Sequence, residues 1–393
     1  MDVSKICSDL VAIRSENPPG RTLEVIEYIR HFLETLGVRA TITGNEKGMC
    51  NLVTEKKSPA LLFCGHVDVV PALDTGWTKP PFSGEIDNGY VWGRGATDMK
   101  GGCAAILAAC EGIVNAGGII PAQLAFVCDE ETGGDHGVRH LLAKKILKPC
   151  DCVIAEPTPE KNPCIGQKGL CRLAIRFTGK PAHGSLYPSV GVSAIMEAAS
   201  LLAYLKEVNR REYPVDESLE EIIARSATVL EQEFHLAGGV KDVLKRVTFN
   251  PGVISGGEKS NVVAQHCDLD IEFRVPWGCP ISGLIEGITR HIPYGQIVSQ
   301  STHEPSMTSP ECFLVSATCR EVQKVQGGQV APIVQWAASD ARHLRLHGFN
   351  VIEYGPGEIS TLHAVDERIS IESLRKAVAI YQGIMQEYSG KIN

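Results

Sequence analysis

The fold is decided by ALLFCG (60–65), GGCAAILAACEGIV (101–114) and AQLAFVC (122–128). The first and third segments are short apolar runs of the length that buried strands have. The middle segment is apolar nearly all round and rich in small residues, which predicts a buried helix. Another apolar run, CDCVIAE, follows at 150–156. Strands that alternate with helices predict an α/β fold, with a mixed central sheet whose centre is largely parallel.

The pattern changes near residue 169. From there the runs alternate between apolar and polar residues, as half-exposed strands do, and amphipathic segments separate them. The predicted strands are LCRLAIRFTG (170–179), DLDIEFRVP (268–276) and GQIVSQST (295–302), and the predicted helices are VGVSAIMEAASLLAYLKEV (190–208) and PISGLIEGITRHI (280–292). Two strand–helix–strand units of this kind indicate a small α+β domain.

The length of 393 residues is too great for one ordinary domain. We predict that residues 169–303 form an α+β domain inserted into a larger domain of residues 1–168 and 304–393. Residues 209–247 form a charged, helical excursion within the inserted part.

Composition and charge exclude several classes of protein. Apolar residues make up 44% of the chain and charged residues 21%, as in ordinary globular proteins. The net charge is −8 and no Lys/Arg run forms a phosphate-binding stripe, so we expect no nucleic-acid partner. The N-terminal segment carries Asp2 and Asp9 and lacks the apolar core of a signal peptide. No stretch approaches the roughly 18 apolar residues that span a bilayer, so we expect no membrane partner.

The 14 cysteines indicate a reducing compartment. No CxxC pair occurs, and many of the thiols lie in apolar runs, as Cys64 and Cys128 do. Cysteines in such runs are typical of small buried side chains, rather than of disulfides or thiolate zinc ligands. We therefore predict a cytoplasmic protein.

Acidic and imidazole side chains stand next to the apolar runs and the buried helix. In open α/β sheets the carboxyl ends of the strands meet at one crevice, where ligands bind. Residues that are distant in the sequence can therefore share one site. The candidates are His66, Asp68, Asp98, Glu130, Glu131, Glu156 and His363.

These residue types suit a pair of divalent metal ions. Imidazole and carboxylate ligands suit zinc, and also cobalt or manganese. Two ions about 3.5–4 Å apart need a bridging carboxylate to offset their repulsion, which is a role for Asp98. One carboxylate and one imidazole on each ion complete the protein ligands. These terminal ligands would be His66, Glu131, Glu156 and His363. Glu130 is left over beside a ligand, where it is free to act as a base.

Each of these residues also has an ordinary structural explanation. A single histidine after a strand, such as His66, is more often satisfied at the surface or in the core. Paired glutamates such as Glu130 and Glu131 usually belong to a solvated loop. Glu156 could end a strand, and Asp98 could cap a helix. The joint pattern is far more specific than any one of its members.

Five motifs resemble a known metallopeptidase family. They are CGHVDVVP (64–71), WGRGATDMKGGCAA (92–105), DEETGG (129–134), AEPT (155–158) and LHAVDE (362–367). In this order they look like the family of acetylornithine deacetylase, succinyl-diaminopimelate desuccinylase, aminoacylase-1 and carboxypeptidase G2. The resemblance covers almost the whole chain. It implies a zinc-peptidase-like catalytic domain, here residues 1–168 and 304–393, and an inserted lid through which such proteins commonly form homodimers.

The resemblance divides the ligands between the two ions. It gives one ion His66 and Glu156, the other ion Glu131 and His363, and both ions Asp98. Asp68 would place its carboxylate on the ring of His66 and fix the tautomer. Glu130 would be the general acid/base. The resemblance also implies a cis peptide after the bridging residue, at Asp98–Met99.

The resemblance assigns further residues to the lid and the pocket. His183 lies in a segment similar to one whose histidine reaches a neighbouring active site and stabilises the oxyanion. Asn261 and Arg274 match polar lid residues that handle the carbonyl and the carboxylate of the substrate. Arg342 and Gly357 match parts of the pocket wall. Without the resemblance, Arg274 would be interpreted as a surface strand arginine and His183 as a loop histidine.

The predicted function is the hydrolysis of an amide bond in small N-acyl amino acids by a dinuclear metal enzyme. An aminopeptidase, carboxypeptidase or dipeptidase is an alternative, because a dipeptide presents the same amide and carboxylate. A non-catalytic member that binds a ligand or partner through the lid is another. The excursion at 209–247 is longer than in the shorter desuccinylases and lies in the part that would contact the substrate, so the acyl group and the amino acid stay open.

Overall fold

The computed structural model describes residues 2–45 and 47–390. The α-helices of these residues are α1 (Val3–Ala12), α2 (Leu23–Thr35), α3 (Gly101–Asn115), α4 (Val138–Ala143), α5 (Ala194–Asn209), α6 (Glu217–Glu233), α7 (Val240–Lys245), α8 (Ile281–Arg290), α9 (Phe313–Gln326), α10 (Ala341–Leu346) and α11 (Ile371–Ser389). None of these helices is both long and apolar enough to cross a membrane.

The strands form three sheets. They are β1 (Ala40–Gly44), β2 (Cys50–Thr54), β3 (Leu61–His66), β4 (Ile86–Asp87), β5 (Tyr90–Trp92), β6 (Gln123–Val127), β7 (Asp151–Ile154), β8 (Cys164–Gln167), β9 (Gly169–Thr178), β10 (Thr248–Gly256), β11 (His266–Val275), β12 (Gly295–His303), β13 (Ser306–Met307), β14 (Ile333–Gln335), β15 (Asn350–Glu353) and β16 (Arg368–Ser370). The smallest sheet has the order β16-β5-β4.

The largest sheet is mixed and has a parallel centre. Its order is β1-β2-β6-β3-β7-β15-β8-β13, and β14 pairs with β8. Strands β6, β3, β7 and β15 are parallel to one another in this row. The remaining pairs of the row, β1 with β2, β2 with β6, β15 with β8 and β8 with β13, are antiparallel. Strands β3 and β6 are buried along their whole length, which explains why their sequences are continuous apolar runs. The predicted fold class, a mixed central sheet flanked by helices, is confirmed.

Helix α3 packs closely on the large sheet because its first residues are small. Its residues from Gly101 to Cys110 are all buried. A Cβ atom on Gly102 would lie 2.2 Å from the carbonyl oxygen of Ala155, a distance that no side chain tolerates. The glycine therefore lets the start of α3, and the turn that carries Asp98, approach the chain just after β7.

The second core lies under the antiparallel sheet with the order β10-β11-β9-β12. Alternate residues of β9 and β11 point inward, where α5 covers them, and α8 packs beside it on β12. Buried side chains that these two strands contribute include Leu173, Ile175, Phe177, Leu269 and Ile271. This one-sided burial is what the alternating sequence predicts.

Helices α6 and α7 pack on the larger core. Their buried side chains, among them Ile222, Leu230 and Leu244, cluster with the residues of the large sheet. Helix α6 contacts β14 of that sheet. These helices lie within 169–303, the range that the sequence assigns to the lid, but their apolar faces are covered by the other part of the fold. The division into 1–168 with 304–393 and 169–303 stays a prediction.

Candidate metal centre

Three parallel strands bring acidic and imidazole side chains to one edge of the large sheet. His66 is the last residue of β3, and Glu130 and Glu131 form a short helical turn with Thr132 after β6. Glu156 lies two residues beyond the end of β7. Because β6, β3 and β7 are adjacent and parallel, their carboxyl ends meet at the same edge, and the side chains that follow them become neighbours.

The first cluster contains His66, Asp98 and Glu156. The Nε2 atom of His66 lies 3.0 Å from Asp98 Oδ1 and 3.6 Å from Glu156 Oε1. The three ligand atoms of this cluster lie within 4.8 Å of one another. His66 is 2% exposed, whereas Asp98 and Glu156 are half-buried at the base of a cleft. The spacing suits a single small cation.

The second cluster contains Asp98, Glu131 and His363. The Nε2 atom of His363 lies 3.2 Å from Asp98 Oδ2 and 3.4 Å from Glu131 Oε2. The ligand atoms of this cluster also lie within 4.8 Å of one another. Asp98 belongs to both clusters and turns a different oxygen to each histidine. Asp98 therefore lies where a bridging ligand would be needed, and its role as a bridge stays a prediction. The peptide bond Asp98–Met99 is cis, as the family resemblance implies.

The donors fit a pair of divalent cations. Burial raises the pKa of Glu131, and it raises the pKa of Glu156 well above its usual range. Hydrogen bonds to Asp98 and then to Glu131 raise the pKa of His363 to about 10. Glu131 Oε1 is buried and has no hydrogen-bond partner among the described residues. Clustered acids that favour a protonated imidazole, together with a buried carboxylate oxygen left open, are what divalent cations would satisfy.

The position of Asp68 differs from the prediction. The Nδ1 atom of His66 lies 2.9 Å from the backbone carbonyl oxygen of Asp68, whereas the nearer carboxylate oxygen lies 3.7 Å away. The carbonyl therefore takes the tautomer-fixing contact that we had expected of the side chain. The carboxylate instead accepts the backbone N–H groups of Glu130 at 3.2 Å and of Glu131 at 3.3 Å. Its charge is directed at the turn that carries these two glutamates.

A buried ion pair that the sequence reading did not assign joins the two loops of the second cluster. Arg94 and Glu367 are in direct contact, and both are nearly inaccessible to solvent. Glu367 accepts the backbone N–H of Asp98 at 3.1 Å, and Arg94 donates to the carbonyl oxygen of His363 at 3.2 Å. Glu367 lies in the LHAVDE motif, so the motif was the available signal, although its geometry could not be inferred from spacing.

The metal clusters open into a cleft of about 390 Å³. Glu130 lines this cleft beside the ligands, and burial raises its pKa well above the usual range of a carboxyl group. The other lining residues include Leu170, Arg172, Arg274, Gln335, Ser339, Arg342 and Glu353. A small polar substrate could thus lie between the clusters and a wall that carries three arginines.

Two of the wall arginines keep N–H groups without a partner. Arg274 donates to Glu272 at 2.7 Å, while its Nη1 atom is buried and unpaired among the described residues. Arg342 donates from Nη1 to the carbonyl oxygen of Ser339 at 2.9 Å, and its Nε atom is likewise buried and unpaired in the described chain. Arg172, which the sequence reading missed, lies across from Glu272 and pairs with it at 2.8 Å.

The structure places His183 and Asn261 together, but outside the cleft of their own chain. The backbone N–H of Gly184 donates to the carbonyl oxygen of Asn261 at 2.8 Å, and both predicted residues are exposed. The Nδ1 atom of His183 lies 2.6 Å from the hydroxyl of Ser185. Gly357, which the sequence assigns to the pocket wall, does not line the cleft itself but packs against Pro157, which does. A Cβ atom on Gly357 would come within 2.7 Å of the side chain of Thr97.

The fold and the paired acid–imidazole centre define an α/β metal-dependent hydrolase. A sequence profile of Peptidase family M20/M25/M40 matches residues 62–387. The chain therefore belongs to this family, and the resemblance that its five motifs carry is confirmed.

Named relatives cover nearly the whole chain. An acetylornithine deacetylase of Aliivibrio salmonicida is 28% identical over 381 residues, which cover 93% of this chain and 91% of that protein. A succinyl-diaminopimelate desuccinylase of Nautilia profundicola is 27% identical over 399 residues, which cover 99% and 100%. A protein of Dictyostelium discoideum named probable carboxypeptidase S-like 2 is 28% identical over 379 residues, which cover 83% and 71%.

Solved structures share the fold. An M20 family metallo-carboxypeptidase from Sulfolobus solfataricus, Sso-CP2, matches with a TM-score of 0.80 at 20% identity and covers 99% of each chain. Human carnosine dipeptidase 1 matches with a TM-score of 0.73 at 17% identity, over 99% of this chain and 97% of that one. A dinuclear metal-binding M20 peptidase of Bacillus subtilis matches with a TM-score of 0.65 at 13% identity, over 98% and 96%.

Proposed function

We propose that this protein hydrolyses the amide bond of small N-acyl amino acids with two divalent metal ions. The observation that carries the proposal is the position of Asp98, whose two oxygens each face a separate histidine and its partner acid. Relatives named as a deacetylase and a desuccinylase at 27–28% identity favour an acyl group on the substrate.

The metal ligands are divided as the family motifs imply. His66 and Glu156 would hold one ion, Glu131 and His363 would hold the other, and Asp98 would be a ligand of both. Mixed imidazole and carboxylate ligands favour zinc, with cobalt or manganese as substitutes. When bound, such ions act as Lewis acids and lower the pKa of water towards about 7.

Proton transfer belongs to Glu130. It lines the cleft next to a ligand, and its backbone is held by Asp68. A raised pKa lets a carboxylate accept the proton of the attacking water and then pass it to the leaving amine. Asp68 acts in this scheme as a positioning residue for Glu130 and for Glu131.

Substrate binding belongs to the arginine wall. The unpaired N–H groups of Arg274 and Arg342 can donate charge-assisted hydrogen bonds to a free carboxylate of the substrate. Leu170 offers apolar contact in the same cleft, and Gly357 supports the wall behind Asp98. A cleft of about 390 Å³ selects small substrates over proteins.

We also propose a homodimer that forms through the lid. His183 and Asn261 lie outside the cleft of their own chain, so they reach a substrate only if they belong to a neighbouring subunit. Large apolar side chains are exposed around them. These are Leu186, Tyr187, Val190, Ile195 and Met196. Strand β10 is an edge of the lid sheet and exposes Val253 and Ile254, so it also favours self-association. In the dimer, His183 stabilises the oxyanion of its neighbour's substrate.

The 14 cysteines are all unpaired, and most of them are buried. Free thiols in these numbers persist in a reducing compartment, which supports a cytoplasmic location for this enzyme.

An exopeptidase is the second candidate. A relative named probable carboxypeptidase S-like 2 is as similar as the deacetylases, at 28% identity. A dipeptide presents its C-terminal carboxylate to Arg274 in the same way as an acyl amino acid does. The two candidates differ in the group on the far side of the scissile amide, which is an acyl chain in one and a free amine in the other.

The test combines metal removal with a panel of substrates. Exhaustive chelation should abolish hydrolysis, and added zinc or cobalt should restore it. The panel compares N-acetyl-ornithine, N-acetyl-lysine, N-succinyl-diaminopimelate and dipeptides by kcat/KM. Preference for the acyl amino acids supports the first candidate, and preference for dipeptides supports the second. Undiminished activity in the chelated protein would rule out metal catalysis.

A further inference from the structure

The two glutamates of the turn after β6 are held by a buried network that begins in the segment between α1 and α2. Two buried carboxylates, Asp68 and Asp129, stand at the ends of β3 and β6. Asp68 accepts the backbone N–H groups of Glu130 and Glu131. Asp129 accepts the backbone N–H of His136 at 2.9 Å. Carboxylates placed so near each other repel unless a donor lies between them.

The donor between them is the side chain of Asn17, which is 3% exposed. Its Nδ2 atom lies 2.9 Å from Asp68 Oδ2, 3.1 Å from Asp129 Oδ1 and 3.2 Å from the hydroxyl oxygen of Thr132. The two carboxylate oxygens only accept hydrogen bonds, so the group that faces them must be the NH2 end of the amide. The backbone N–H of Asn17 also donates to Val69 at 2.8 Å, which fixes the segment beside β3.

The network leads directly to the metal clusters. Asp68 Oδ2 accepts hydrogen bonds both from the side-chain amide of Asn17 and from the backbone N–H of Glu131. This one oxygen therefore links Asn17 to the turn. Glu131 Oε2 lies 3.4 Å from His363 in the second cluster. A displacement of Asp68 would therefore move the turn, and with it the carboxylate that faces His363. Asn17 lies outside residues 62–387, the part of the chain that the family profile matches.

We infer that Asn17 is a positioning residue for Glu130 and Glu131, and that it sets the affinity of the second cluster for its metal ion. This inference rests on the proposed function only for the part that concerns activity. The side-chain amide of Asn17 holds the carboxylates of Asp68 and Asp129 in place without adding a charge. An isosteric carboxylate at this position would replace the donor by a third acceptor and repel both partners.

The variants are Asn17→Asp, which keeps the shape, and Asn17→Ala, which removes the amide. The matched control is Asn162→Ala, because Asn162 is a half-buried asparagine whose side chain donates a hydrogen bond, at 2.9 Å to the carbonyl oxygen of Ala331. Full-length proteins are dialysed against zinc buffers of graded free concentration, and bound zinc per chain is measured by mass spectrometry. Melting temperature, kcat and KM are measured on the same samples.

We expect Asn17→Asp to bind one of two zinc equivalents at least about tenfold more weakly, as is usual when a residue that orients a ligand is lost. We expect kcat to fall with it while KM stays within about threefold of the wild type. Asn162→Ala should keep both zinc equivalents whatever its melting temperature. Wild-type zinc binding and kcat in Asn17→Asp would overturn the inference.

Two further measurements distinguish a positioning role of Asn17 from misfolding of its variants and from failure of the proposed function. If the Asn17 variants do not fold, Thr132→Val decides, because Thr132 is exposed and its hydroxyl contacts both Asn17 and Asp129. A smaller loss of zinc affinity in this variant supports the inference, and unchanged affinity together with unchanged kcat overturns it. A wild-type protein without amidase activity would refute the proposed function. The role of Asn17 would still be tested, because zinc binding is measured without a substrate.

Discussion

Glu130 and Glu131 are adjacent in the sequence but have different surroundings. Glu131 lies in the cluster with Asp98 and His363, whereas Glu130 lines the cleft beside it. Glu130→Gln keeps the shape and removes the proton acceptor, so we expect kcat to fall roughly 10²–10⁴-fold while both metal equivalents stay bound. Steady-state kinetics and metal analysis check this. Glu217→Gln, at an exposed glutamate, is the control, and a near-normal kcat in the metal-loaded Glu130 variant would remove Glu130 as the base.

Arg274 offers the cleft an unpaired guanidinium N–H group. If that group binds the substrate carboxylate, Arg274→Gln should raise KM roughly tenfold to a hundredfold, because a hydrogen bond to a charged group contributes about 1.5–3 kcal/mol. The effect should disappear for a substrate whose carboxylate is amidated. Arg176→Gln is the control, since Arg176 is an exposed arginine on the neighbouring strand β9 and pairs with Asp268 at 2.8 Å. Equal changes of KM in both variants would contradict the assignment.

Four of the proposed metal ligands could be predicted because each is marked in the sequence by its place after an apolar run or before the buried helix, and His363 could be predicted from the LHAVDE motif. The residues that hold them in place could not. Asn17 lies in SENPPG, which indicates a turn and nothing more. The predicted contact between the Asp68 carboxylate and the ring of His66 is made by the Asp68 carbonyl oxygen instead. Spacing in the sequence cannot distinguish these two groups. Hydrogen-bond geometry depends on how distant strands are placed.

At the level of elements, the sequence predicted the helices and strands well but not the partners of the excursion. Alternation and amphipathicity depend on neighbours close in the chain, so they predict β9, α5 and α8 correctly. The sequences of α6 and α7 show that each helix has an apolar face, but they do not show which core covers that face. Both pack on the larger core.

Lys168, between β8 and β9, forms hydrogen bonds to the C-terminal end of α7. Its buried ammonium group donates to the carbonyl oxygens of Val243 at 2.5 Å and Arg246 at 2.7 Å, at the end of that helix. Burial lowers the pKa of Lys168 from 10.5 to about 7. Below pH 7 the lysine is charged in both the folded and the unfolded states, so folding bears the full cost of burying the charge. Between about pH 7 and 10.5 the folded state has released the proton and the unfolded state has not.

The contribution of Lys168 to the free energy of unfolding should therefore rise with pH across this window. We expect the stability difference between the wild type and Lys168→Met to shift in favour of the wild type from pH 7 to pH 10. Denaturant unfolding at a series of pH values measures it. Lys144→Met, at an exposed lysine, should show no such trend. A difference that is constant with pH would mean that Lys168 keeps its proton throughout.

At the scale of the whole molecule, the metal clusters and the lid residues are separated within one chain. His183 and Asn261 are exposed and lie outside the cleft that contains Glu130. No pattern in a single sequence distinguishes a residue that serves its own active site from one that serves a neighbour's. Only the resemblance suggested the second arrangement, and the exposed apolar side chains around His183 are consistent with it.

Complementation between two inactive variants tests this arrangement. His183→Ala and Glu130→Gln should each be nearly inactive as homodimers. A mixed dimer, however, contains one site with the intact Glu130 of one chain and the intact His183 of the other. Equal amounts that exchange subunits freely should recover about a quarter of wild-type activity, because half of the dimers are mixed and each has one complete site. Size-exclusion chromatography with light scattering confirms the exchange. A dimeric mixture without recovered activity would show that His183 serves its own chain or no active site.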